Sequence, residues 1–274
     1  MHRSRPLIVA YHAVSSSWQS PLAIDPSALD CQLAHLRRRG YAGLTFAESE
    51  RLRAAGRLPE RSVVITFDDG YRSTLEAADV LDAHGYPGTV FVVTSFVDSG
   101  RPLEWPGIAG ERLRPGADRE LRPLTWADLE SMVARGWEVG SHTVTHPLLS
   151  ALPADRVERE LVESRRRIAD RLGRCETIAY PYGREDGAVA RAAADAGYLA
   201  ACTLKGVPTA DTPYLRPRVG LTSRDRGLRL RLGTSPAALG ARRSRPARIA
   251  SRLRPARSWL PGADDTNVSG IVAG

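Results

Sequence analysis

The chain has 274 residues, 42% of them hydrophobic and 6% aromatic, enough for a sizeable core in one barrel-sized domain. Its three cysteines, Cys31, Cys175 and Cys202, contain no C-x-x-C pair, which argues against a disulfide framework and against a thiolate-built structural zinc. The net charge of +8 is uneven: residues 224–257 hold eleven arginines against one acid, Asp225, and the rest is near neutral.

Leu7 to Tyr11 reads as a buried strand. Pro26 to Arg39 reads as a helix, with Leu29, Leu33 and Leu36 at helical spacing and Gly40 as the stop. Val63 to Thr66 is a β-branched strand, and Tyr71 to His84 a helix ended by Gly85. Thr89 to Val93 is a strand. Val97 to Leu124 breaks the rhythm: it is rich in Gly, Pro and Arg, and a loop this long is usually functional or disordered. Trp105 within it either forms part of a sugar platform or pins the loop. Thr125 caps a helix through Ala134, with Asp128 completing a capping box. Trp137 to Gly140 is a strand, Pro153 to Leu172 an amphipathic helix, Thr177 to Tyr180 a strand, Asp186 to Ala196 a helix and Tyr198 to Thr203 a strand. This alternation implies an α/β fold with parallel strands and helical crossovers.

Residues 224–274 form an Arg-rich C-terminal arm on a body spanning 1–223. Such an arm, able to stay partly disordered, can meet nucleic acid, anionic lipid or a partner, or pack its stems along the body and bind nothing. Nucleic acid is the less favoured partner, and peripheral membrane contact stays open. Residues 1–10 make no convincing signal peptide and no apolar run reaches the length of a membrane span, so a cytoplasmic location is expected, with inner-membrane association as a variant. Oligomeric state is not legible.

Chemistry concentrates where strands end. Thr66-Phe67-Asp68-Asp69-Gly70 closes an apolar strand with two adjacent acids. One can hold a metal while its neighbour handles a proton, or the two are the solvated acids of an Asp-Gly turn. His142 and His146 lie four apart. On a strand their Cα atoms would be roughly 13 Å apart, too far to share an ion. On a helical turn they share a face, and a carboxylate can join them in a site of catalytic-zinc type. Taken alone, H-x-x-x-H is as well read as two unrelated loop histidines.

The Asp68-Asp69 motif, His142-Thr143-x-x-His146 and Tyr180-Pro181-Tyr182-Gly183, in this order, resemble the polysaccharide deacetylase family, the NodB-homology or carbohydrate esterase family 4 enzymes. The resemblance covers roughly residues 6–220. The opening Tyr11-His12-Ala13-Val14 is similar to the branch of exopolysaccharide N-deacetylases. The resemblance implies a distorted (β/α) barrel and metal-dependent hydrolysis of N- or O-acetyl groups on sugars. It implies one divalent metal, zinc first, with cobalt, nickel and manganese compatible, held by Asp69, His142 and His146. Asp68 is then the general base. The Tyr182 amide helps hold the oxyanion, and its ring, after Pro181, lines the substrate groove. The substrate is an N-acetylated carbohydrate.

Two departures follow. The Leu-x-His motif that supplies the general acid in many members is missing, because no histidine follows His146. Of His2, His12, His35 and His84, only His12 follows a strand on the expected rim, so it is taken as the acid. The arginine that orients the base in many relatives is replaced by Ala179. Arg218 either supplies that charge from another strand end or is a surface arginine. Two other functions stay open: a non-catalytic polyanion or glycan binder on the same scaffold, and a deacetylase of a small or lipid-linked sugar precursor.

Overall fold

The computed structural model describes residues 5–204, 212–227 and 230, so most of the basic arm lies outside the described residues. The elements in chain order are β1 (Leu7–Tyr11), β2 (Ala13–Val14), β3 (Ala23–Ile24), α1 (Pro26–Arg38), β4 (Ala42–Leu44), α2 (Phe46–Ala54), β5 (Ser62–Phe67), α3 (Thr74–His84) and β6 (Thr89–Val92). There follow α4 (Ala117–Glu120), α5 (Trp126–Ala134), β7 (Glu138–Ser141), α6 (Ala154–Leu172), β8 (Thr177–Ala179), α7 (Gly187–Asp195), β9 (Ala200–Thr203), β10 (Arg216–Pro217) and β11 (Val219–Gly220).

The strands form one parallel sheet in the order β10-β9-β8-β7-β6-β5-β1-β11, with β4 also on β5. Its two ends are carried by one short segment. β10 pairs with β9, β11 pairs with β1, and Arg218 sits between them. The Arg218 N–H donates to Thr203 O at 3.2 Å and the Leu221 N–H to Ala10 O at 3.3 Å. Residues 216–220 thus bridge the edges and draw the sheet into a distorted barrel.

Both faces of the sheet are buried, which is why its strands read as continuous apolar runs. Period-two alternation sorts them. Leu7, Val9, Tyr11, Val63, Ile65 and Phe67 pack outward against the helices. Ile8, Val64, Phe91, Ala179, Ala200 and Cys202 fill the interior. The pairing Leu7↔Val63 through Tyr11↔Phe67 brings the ends of β1 and β5 level, so His12 and Asp68 emerge side by side on the rim.

Three local expectations are revised. The helix expected from Tyr71 begins at Thr74, because the backbone at Tyr71 bridges to Pro123 and the Arg72 N–H donates to Arg122 O at 2.8 Å. The short elements β4 and α2 were hidden, since neither holds a long periodic pattern. The 97–124 segment folds into 3₁₀ turns at Pro106–Ile108 and Glu111–Leu113 followed by α4. It builds its own cluster, in which Leu103, Trp105, Ile108, Ala117 and Leu121 pack with Trp18, Tyr71 and Phe96. Ser15 Oγ donates to Glu120 Oε1 at 3.0 Å and Arg114 Nη1 to Gln19 O at 3.0 Å, tying the segment to the 15–19 loop.

Candidate active site

Asp68 and Asp69 follow β5. Asp69 adopts a left-handed φ of 72° and Gly70 one of 77°. This reversal turns the two neighbouring carboxylates to different partners, although both are buried.

Asp69 Oδ1 lies 3.3 Å from His142 Nε2 and 3.4 Å from His146 Nε2. One ligand atom from each of the three residues falls within 4.8 Å of the others, all buried. His142 is the first residue after β7. Its Nδ1–H donates to the Ala179 carbonyl at 2.7 Å, so Nε2 is the ring atom turned toward Asp69. The segment to His146 is not the helical turn expected. It is a loop with left-handed φ at Thr143 (70°) and His146 (60°), and this loop brings the two ring centroids to 4.8 Å. Two imidazoles and one carboxylate converging in a buried pocket fit a divalent metal of catalytic type, with positions left for water and substrate.

Asp68 faces the other way. Arg218 donates from Nη1 to Asp68 Oδ1 at 2.6 Å and from Nη2 to Oδ2 at 2.7 Å, and Nη1 also donates to Thr66 Oγ1 at 2.9 Å. Arg218 is buried, not a surface arginine. Burial works to raise the Asp68 pKa, but the Arg218 charge, followed by that of His142, holds it below the ordinary carboxylate value. Burial likewise opposes ionisation of Asp69, yet hydrogen bonds with His142 and His146 keep it well below the usual range. His146 is lowered by burial. His142 also feels burial, but its bond to Asp69 leaves it raised.

A cavity of about 240 Å³ opens over these groups, lined by His12, Asp68, Asp69, His142, His146 and Tyr182 among others. Pro181 starts a 3₁₀ turn that holds Tyr182 at φ 59°. The Tyr182 ring meets His146 edge-on at 4.8 Å. Two glycines permit this. A Cβ on Gly183 would lie 2.2 Å from Leu204 Cβ, and one on Gly107 would lie 2.7 Å from Tyr182 Cε1.

Trp105 stacks on His146 with centroids 4.2 Å apart and planes at 26°, and it also lines the cavity. One face of the ring is therefore occupied by a candidate ligand. Nothing in the residue pattern points to this contact, because the two residues sit on different segments. Glu160 was also missed. It lies on the buried face of α6 beside Val157, Leu161 and Ser164, and accepts hydrogen bonds from Val144 N and Thr145 N at 2.8 and 2.9 Å. An acid on an apolar stripe was the available signal. Among the described residues, no helix is long and apolar enough to cross a membrane.

A family model described as polysaccharide deacetylase matches residues 55–201. The chain is 36% identical over 143 residues to a chitooligosaccharide deacetylase of Sinorhizobium fredii (strain NBRC 101917 / NGR234), covering 51% of this chain and 55% of that protein. It is 33% identical over 140 residues to the poly-beta-1,6-N-acetyl-D-glucosamine N-deacetylase of Escherichia coli (strain K12), covering 49% of this chain but 20% of the relative. The fold is similar to that of the Streptococcus pyogenes deacetylase PplD, with a TM-score of 0.70 at 23% identity over 85% of this chain and 98% of that one. With the family model spanning more than half of its length and the three motifs meeting in one buried pocket, the chain belongs to the polysaccharide deacetylase family.

Proposed function

We propose that this protein is a metal-dependent hydrolase that removes acetyl groups, N-acetyl first, from a sugar or polysaccharide. The observation that carries the reading is the division of labour between adjacent acids. Asp69 joins His142 and His146, while Asp68 is gripped by Arg218.

Asp69, His142 and His146 would hold the ion, and the two-imidazole, one-carboxylate set suits zinc best. When bound, the metal polarises the acetyl carbonyl and makes water more acidic. Asp68, kept ionised by Arg218, accepts the proton of the attacking water. The Tyr182 amide helps hold the developing oxyanion, and the Tyr182 ring lines the pocket beside the sugar. His12, on the same cavity wall, donates a proton to the leaving amine. An amine leaves poorly without protonation, so this step weighs more for an amide than for an ester.

The test is acetate release from a panel of N-acetylated glycans and small N-acetylated sugars by zinc-loaded protein. The parent releases acetate from at least one class, and Asp68→Asn loses about 10²–10⁴-fold while still binding zinc. Undiminished turnover by a zinc-loaded Asp68→Asn protein would overturn the reading.

A further inference from the structure

We propose that Glu160 is a positioning residue that sets the spacing of the two imidazoles, an inference that rests on the metal-site reading above. His142 and His146 are four apart but not on a helix, so the loop dihedrals, together with the ring rotamers, decide how far apart their Nε2 atoms fall. That loop is strained at both ends. Thr143 and His146 take left-handed φ values of 70° and 60°, uncommon for residues other than glycine and costlier for a β-branched one. Something must over-determine the conformation.

Glu160 does so from the helix behind. It is 8% exposed, on α6. Its Oε2 accepts from the N–H groups of Val144 and Thr145 at 2.8 and 2.9 Å. Its Oε1 accepts from Thr145 Oγ1 at 2.7 Å. One carboxylate therefore satisfies two successive backbone donors and one hydroxyl in the stretch between the two ligands. The opposite side of the loop is tied to the end of β6, where the Thr94 N–H donates to Thr143 O at 3.1 Å and the Ser95 N–H to Val144 O at 3.0 Å. These bonds anchor the first half of the loop, whereas the Glu160 clamp reaches Thr145, the residue next to His146. Within the clamp Glu160 acts only as an acceptor, and a glutamine can imitate it. Its carbonyl can take both N–H groups, and its amide can donate to the Thr145 hydroxyl.

The experiment measures zinc affinity of the full chain, stripped and then titrated against a competing chromophoric chelator, with far-UV circular dichroism as the check on folding. Glu160→Ala is expected to bind zinc about 10–100-fold more weakly, the usual cost of losing an outer-shell partner. Glu160→Gln should stay close to the parent, and Thr145→Val, which removes only the hydroxyl bond on an exposed residue, should lose less than Glu160→Ala. An unchanged affinity in Glu160→Ala overturns the proposal. So does a loss in Glu160→Gln equal to that in Glu160→Ala, which would make charge, not geometry, the operative property. If Glu160→Ala does not fold, Thr145→Val decides, and parental affinity there overturns the proposal. Asp69→Ala serves as the control for the site itself. If it binds zinc as tightly as the parent, the metal-site reading fails, independently of Glu160.

Discussion

Arg218 and Asp68, 150 positions apart in the chain, form a two-point ion pair at 2.6 and 2.7 Å in which both side chains are buried. Geometry of this kind fixes the orientation of the carboxylate as well as its charge. Arg218→Lys keeps a cation but only as a point charge, so acetate release is expected to fall by more than tenfold with zinc binding retained. Arg218→Met strands Asp68 as an unpaired buried charge and should lower stability by about 3–5 kcal/mol. Adding Asp68→Asn to it should recover part of that loss in urea unfolding. A fully active Arg218→Met protein would leave Asp68 without its assigned tuning.

Trp105 and His146 are coupled through their stacked rings, and Phe96 packs edge-to-face against the tryptophan at 5.8 Å. Truncating so large a core ring typically costs about 3–5 kcal/mol. Trp105→Ala is therefore expected to melt earlier and to gain less stability from zinc than the parent. A ligand that binds only the folded state adds about 2.7 kcal/mol at a hundredfold excess over its dissociation constant. Thermal melts with and without zinc check this. Equal zinc-induced shifts in parent and variant would dissociate the stack from the metal site.

Glu185, two residues beyond the Tyr182–Gly183 turn, has its pKa pushed up to about 7, chiefly by burial, with neighbouring Asp186 adding to the rise. A raised carboxyl pKa means the folded state holds the proton more tightly than the unfolded chain does. This group's contribution is therefore complete below the unfolded carboxyl value and is lost as pH climbs through about 7. Glu185→Gln should flatten that dependence, with the variant gaining on the parent at pH 8 relative to pH 5. Melting temperatures across this range provide the check, and parallel profiles would show that Glu185 is not the titrating group.

What was legible in the chain was whatever is local. Val63 to Thr66, the capping box at Thr125–Asp128 and the amphipathic face of Val157, Leu161 and Ile168 announce their elements by spacing alone, and each is present near the expected bounds. Asp68-Asp69, His142-x-x-x-His146 and Tyr180-Pro181-Tyr182 were likewise visible, because each motif sits at one strand end. The short elements β4, β10 and β11 carried too little periodicity to read.

The parts were readable from local spacing: alternating strands and helices, the family motifs and the residue types able to hold a metal and move a proton. Their combination depends on long-range packing. Residue 218 faces Asp68 only because the 216–220 segment spans both edges of the barrel, and His146 meets Trp105 while Val144 and Thr145 meet Glu160 only because three separate segments pack around one loop. Periodicity reports on neighbours three or four positions away. A contact across 150 positions depends on how the whole sheet closes.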